Sequence, residues 1–207
     1  MLDKKGFDLW ADGYDKSVDV SDKEKTYPFA GYEEVLKYIF DRVTERDHAD
    51  VLDIGFGTGT LTAKLYENGC NIFGQDFSEK MIDLAQEKMP GAKLYLGDFT
   101  HGLREELSRQ RYDAIIATYS LHHMTTEQKV EFIGSLRQLL KNNGKIYIGD
   151  VIFRTEKDQL DCAEASGDVW DSDEIYFVVE EMENYFPGNL KFAKMSFCAG
   201  VIEIGKG

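Results

Sequence analysis

The chain has 207 residues, enough for one α/β domain with a sizeable core and short for two. Hydrophobic residues make up 43%, which excludes a disordered chain, and no apolar run approaches membrane-spanning length. A net charge of −14 opposes phosphate backbones, so DNA and RNA are disfavoured as partners.

The start, Met1-Leu2-Asp3-Lys4-Lys5-Gly6, does not resemble a signal peptide. Cys70, Cys162 and Cys198 are odd in number and far apart, and they read as reduced thiols and small core residues. The expected location is therefore cytoplasmic. A helical pattern covers 32–46. Strand-like runs follow at 49–54, 71–75, 92–96, 114–118 and 145–151, alternating with helical patterns at 60–67, 79–88, 103–110 and 126–141. In the last helix Thr125 and Gln128 form a capping box, Val130, Ile133, Leu136 and Leu140 line one face, and Asn143-Gly144 stops it. Two closing strands, 189–196 and 200–204, are joined by a tight Cys198-Ala199-Gly200 turn. This alternation predicts a doubly wound α/β sheet without repeats or linkers.

At the end of the first strand stands Asp53-Ile54-Gly55-Phe56-Gly57-Thr58-Gly59. Glycines at 55, 57 and 59 let the backbone turn tightly and let a ligand approach main-chain N–H groups. A dinucleotide fingerprint, G-x-G-x-x-G, would need glycine at position 60, where Thr60 stands. A carboxylate beside the loop would also repel a pyrophosphate, whereas it favours a cationic ligand. The D-x-G-x-G-x-G pattern resembles motif I of class I S-adenosylmethionine (SAM) methyltransferases. SAM bears a sulfonium and an ammonium and no phosphate. The resemblance implies a Rossmann-like, mostly parallel seven-stranded sheet closed by a C-terminal antiparallel hairpin.

It also implies cofactor contacts. Asp76 ends the second strand, 21 residues beyond Gly55, where the family's acid grips the ribose diol. Phe77 and Met81 would wall the adenine. In Gly97-Asp98-Phe99 the carboxylate of Asp98 would meet the adenine amine and Phe99 would offer its backbone N–H; Thr118 ends the fourth strand beside them. An acid after a strand is also ordinary turn chemistry, so the three together carry more than each alone. Phe7-Asp8-Leu9-Trp10-Ala11-Asp12-Gly13-Tyr14-Asp15 resembles the arm found ahead of the first helix in many small-molecule methyltransferases, where the tyrosine, here Tyr14, folds over the cofactor. The W-A-x-x-Y-D start, T-Y-S-L-H-H segment and C-A-G-V stretch are similar to the bacterial YrrT-like methyltransferases.

The acceptor is expected against Thr118-Tyr119-Ser120-Leu121-His122-His123. This segment lacks the N-P-P-Y or D-P-P-Y form of amide and nucleobase-amine methyltransferases, and there is no Pro-Cys pair. Both absences point to a small-molecule acceptor. His122 and His123 are candidate general bases or packing residues, and Tyr119 is a candidate for positioning. Asp150 alone stands where a catechol-type enzyme clusters its metal ligands, so no metal is expected. The stretch 153–174 carries Asp158, Asp161, Glu164, Asp168, Asp171, Asp173 and Glu174 with Trp170, either a solvated face or a receptor for a cationic amine. The expected division of one domain is an arm and first helix (1–48), a SAM-binding core (49–152), an acceptor lid (153–186) and the closing hairpin (187–207). The expected activity is methyl transfer from SAM to a small molecule. A non-catalytic binder of SAM or S-adenosylhomocysteine (SAH) and an NAD(P)-binding oxidoreductase are the alternatives.

Overall fold

Short β-branched runs that bury both faces form parallel strands covered by helices. In the computed structural model, which describes residues 25–207, the parallel strands are β1 (Asp50–Ile54), β2 (Asn71–Asp76), β3 (Lys93–Leu96), β4 (Tyr112–Thr118) and the long β5 (Leu140–Phe153); β3, at the edge, has no β-branched residue and is only partly buried. Trp10 and Tyr14 lie outside the described residues. β1 pairs in parallel with β2 and β4, β2 with β3, and β4 with β5. A two-residue strand, β6 (Phe177–Val178), pairs with the end of β5; β7 (Leu190–Lys194) and β8 (Ala199–Gly205) complete the sheet antiparallel. The main path runs β3-β2-β1-β4-β5-β8-β7, the expected seven strands, with β6 added outside it.

Helices cover both faces because neighbouring strand residues point opposite ways. Val51 joins the layer holding Val35 and Ile39 of α1 (Tyr32–Val43) and Leu65 of α2 (Thr60–Glu67). Ala85 of α3 (Glu79–Lys88) lies in the same layer. Leu52 joins the other, with Leu107 of α4 (Glu105–Ser108) and Ile133 and Leu136 of α5 (Thr126–Gln138). α6 (Glu156–Ser166) and α7 (Val179–Tyr185) follow β5 and β6. Among the described residues, no helix is long and apolar enough to cross a membrane.

The capping box of Thr125 and Gln128 starts α5 as the sequence predicts. The helix ends at Gln138, and Leu140 already belongs to β5. Asn143 (φ 64) lies inside that strand, where pairing with β4 slips between Tyr112 and Ala114; the Asn-Gly signal marks a bulge rather than a helix stop. The buried face of α5 is Lys129, Phe132, Ile133 and Leu136, which moves Val130 to its edge. The predicted helix 103–110 shrinks to the four residues of α4, following a 3₁₀ turn and Gly102 at φ 102. The last turn falls on Met195–Cys198, where Ser196 Oγ accepts the N–H groups of Cys198 and Ala199 at 3.2 and 3.0 Å, and Ala199 and Gly200 belong to β8.

Candidate active site

The strand order reverses between β1 and β4, and the loops leaving their C-terminal ends separate there, as open α/β sheets require of a ligand crevice. The result is a partly open cleft at the C-terminal ends of these strands. Gly55, Gly57, Asp76, Phe77, Met81, Phe99, Thr118 and His123 line it, all of them predicted site residues. Tyr32, Ser78, Tyr119 and Ser120 complete much of its wall.

The glycine loop is tied to the end of β2. Gly55 N–H donates to the Gln75 carbonyl at 2.8 Å, and Gly57 N–H donates to Asp76 Oδ2 at 2.9 Å. Asp76 Oδ1 accepts the Ser78 N–H at 2.9 Å, so this nearly buried carboxylate is fixed at the cleft wall. Gly55 (φ 69) permits close packing: a Cβ there would stand 2.6 Å from Ser120 Cβ. Gly57 (φ 54) has nothing within 4 Å of its Cβ position, so its backbone faces open space.

Three predicted cofactor residues do not line the cleft. Asp53 is buried beneath the loop and accepts the Thr62 hydroxyl, and its Oδ1 has no partner among the described residues. Burial, aided by the charge of Asp76, pushes its pKa up to about 7. Gly59 caps α2 and packs on α3, with its Cβ position 3.1 Å from Met89 Cε. Asp98 caps the 3₁₀ turn through the Thr100 N–H and hydroxyl, at 2.9 and 2.6 Å, and meets His101 Nδ1 at 3.1 Å. Partial burial opposes ionisation of Asp98, but those hydrogen bonds and His101 hold its pKa below the ordinary value.

The two histidines part company. They sit on a 3₁₀ turn, Leu121–His123, so their rings diverge although the centroids are 4.3 Å apart. His123 reaches the cleft, whereas His122 turns inward. His122 Nδ1 lies 2.8 Å from Asp150 Oδ1, and its Nε2 lies 3.5 Å from Glu174 Oε1. Burial works against a protonated His122, yet Asp150 and then Glu174 outweigh it and raise the pKa. Burial and the neighbouring His122 lower His123 to about 4. Tyr119 holds a left-handed backbone (φ 49), and its ring meets those of Tyr32 and Phe29 at a tilt, with centroids 5.1 and 5.4 Å away.

The acidic stretch separates in the same way. Asp158 caps α6 with Thr155, Asp161 pairs with Lys157, and Asp171 accepts the Asp173 N–H, while Glu174 reaches His122. Trp170 stacks on Tyr27 at 5.1 Å and meets Tyr176 edge-on at 5.0 Å. Sequence reasoning missed Lys129, whose Nζ is buried, donates to the Ile175 carbonyl and stands 4.3 Å over the Phe177 ring. Burial brings its pKa down to about 8, opposed by Asp150, Glu181 and Glu174. A lysine at a helix-face position gave no signal of this, beyond its place one residue before Val130.

The family description of a methyltransferase domain matches residues 51–144. An uncharacterized methyltransferase of Geobacillus sp. (strain WCH70) is 41% identical over 149 residues, 72% of this chain and 67% of that protein. An uncharacterized methyltransferase of Geobacillus thermodenitrificans (strain NG80-2) is 36% identical over 161 residues, 77% of this chain and 72% of that protein. The fold is similar to magnesium protoporphyrin IX methyltransferase from Synechocystis PCC 6803 with bound SAH, at TM-score 0.65 and 18% identity, covering 84% of this chain and 83% of that one. It is also similar to a DhpI–SAH complex, at TM-score 0.71 and 17% identity, covering 98% and 95%. The chain belongs to the methyltransferase family of these relatives. These relatives carry only the general name methyltransferase, so the YrrT-like grouping stays a resemblance.

Proposed function

We propose that the cleft holds SAM and presents its methyl group to a small-molecule acceptor at the end occupied by His123. The observation that carries this reading is the pairing of the fixed Asp76 carboxylate with the open backbone of Gly57 on one wall. A carboxylate such as Asp76 can accept from two ribose hydroxyls while holding the loop, because each of its oxygens accepts more than one hydrogen bond. Phe77, Met81 and Phe99 give the adenine an apolar slot, and Gly55 and Thr118 border the amino-acid end. Asp53 acts from beneath, as a buried carboxyl that ties the loop to α2 through Thr62.

SAM supplies a methyl on a sulfonium, transferred by in-line displacement with the bonding pair left on sulfur. The chain's own tasks are alignment, exclusion of water and management of the acceptor's proton. Tyr32 and Tyr119 wall the acceptor end, and the histidine pair stands where that proton must leave. A small acceptor is supported by the absence of an N-P-P-Y segment after β4 and by the net charge of −14. Residues 153–186 form the acceptor lid in this reading. Free, buried Cys70, Cys162 and Cys198 fit a reducing cytoplasm.

SAH is expected to raise the melting temperature, and NAD at equal concentration is expected to leave it unchanged. Ligand at ~100 times its Kd adds about 2.7 kcal/mol, enough to read as a shift of several degrees. Stabilisation by NAD and none by SAH would replace the reading with an oxidoreductase.

A further inference from the structure

We propose that His122, His123 and Glu174 bind a divalent transition-metal ion of the zinc class, and that the methyl acceptor is a hydroxyl or thiol compound that ionises on it. This rests on the cleft being the methyl-transfer site. One ligand atom from each of the three residues lies within 4.8 Å of the others, a span that bonds of about 2.0–2.2 Å bridge after modest side-chain rotation.

Each of the two inward ligands has its other polar atom already occupied. His122 Nδ1 is engaged by Asp150 Oδ1, which the Val151 N–H also holds at 2.8 Å, so Nε2 is left directed at Glu174. Glu174 Oε2 accepts the Tyr176 hydroxyl at 2.9 Å, which leaves Oε1 facing His122. A carboxylate behind a histidine and a hydroxyl behind a carboxylate are the outer contacts that orient ligands around a metal. An imidazole lone pair and a carboxylate oxygen facing each other at 3.5 Å attract a cation between them. A proton can bridge those two atoms only, whereas the third donor, His123, brings the convergence to the cleft wall. Two nitrogens and one oxygen leave coordination positions for an acceptor.

The ion acts as a Lewis acid and lowers the pKa of the acceptor's O–H or S–H, whose proton goes to solvent. The lone pair so exposed forms the bond to the methyl carbon. The methyl–sulfur bond breaks with its electrons going to sulfur, giving the methylated acceptor and SAH. Nothing is oxidised or reduced.

Chelator-treated protein titrated with Zn²⁺ alone by calorimetry, and with Co²⁺ by visible absorption, tests this. The proposal expects one equivalent bound by the wild type. Binding should be lost in His123→Ala and Glu174→Gln, and weakened about 10–100-fold in Asp150→Asn. SAH-induced thermal stabilisation, measured on each variant, shows that the fold and the cofactor site survive. Equal metal binding by wild type and Glu174→Gln overturns the proposal. So does a wild type that SAH stabilises but that binds neither ion, an outcome that leaves the methyltransferase reading standing.

Discussion

Asp76→Ala is expected to weaken SAM binding by about 2–4 kcal/mol, because two hydroxyls lose a charged acceptor whose hydrogen bonds contribute about 1.5–3 kcal/mol each. That is a rise of roughly 30- to 1000-fold in Kd. The carboxylate is nearly buried and held by the Gly57 and Ser78 N–H groups, so it arrives at the ribose already oriented. Removing it also releases two backbone donors at the loop, so a lower melting temperature accompanies the loss. Asp98→Ala is the internal contrast: Asp98 spends its oxygens on Thr100 and His101 and does not line the cleft, so its effect on Kd should be much smaller. Calorimetry on both variants separates the roles. Equal affinities in wild type and Asp76→Ala would mean that the ribose lies elsewhere.

The two histidines should fail differently. His123→Ala is expected to keep SAH affinity within a few-fold and to lower turnover by about 10²–10⁴, the range for removing a group that handles the acceptor's proton. His122→Ala should melt earlier, because the fully buried Asp150 loses its imidazole partner and keeps only the Val151 N–H on Oδ1; breaking a buried pair from one side costs about 3–5 kcal/mol. Thermal melts and a turnover assay on both variants decide this. Normal turnover in His123→Ala would take the acceptor away from that wall.

The cofactor half of the site was legible because its chemistry is local. The loop from Asp53 to Gly59 needs glycines wherever the backbone turns or stays open, and the end of β2 delivers Asp76 to it directly. Asp53 and Asp98 sent the same signal with different destinations: one lies under the loop, bound to Thr62, and the other caps a turn. Nothing in their spacing distinguishes a carboxylate that faces a ligand from one that holds the chain.

The acceptor half was less legible because it is assembled from distant segments. His122 depends on Asp150 from β5 and Glu174 from the stretch before β6, and neither pairing leaves a trace in local periodicity. Lys129 looks like a polar helix position until the Ile175 carbonyl and the Phe177 ring draw it inward. Boundaries slipped for a related reason. Leu140 satisfies the apolar period of a helix, yet its pairing with Tyr112 claims it for β5.

Incubation of the protein with methyl-labelled SAM and a fractionated cell extract tests the central claim most directly. The account predicts label in the low-mass fraction with matching SAH release, both strongly reduced in Asp76→Ala. Tight SAM binding with no label transferred would make the chain a non-catalytic binder, and label confined to protein or nucleic acid would contradict a small-molecule acceptor.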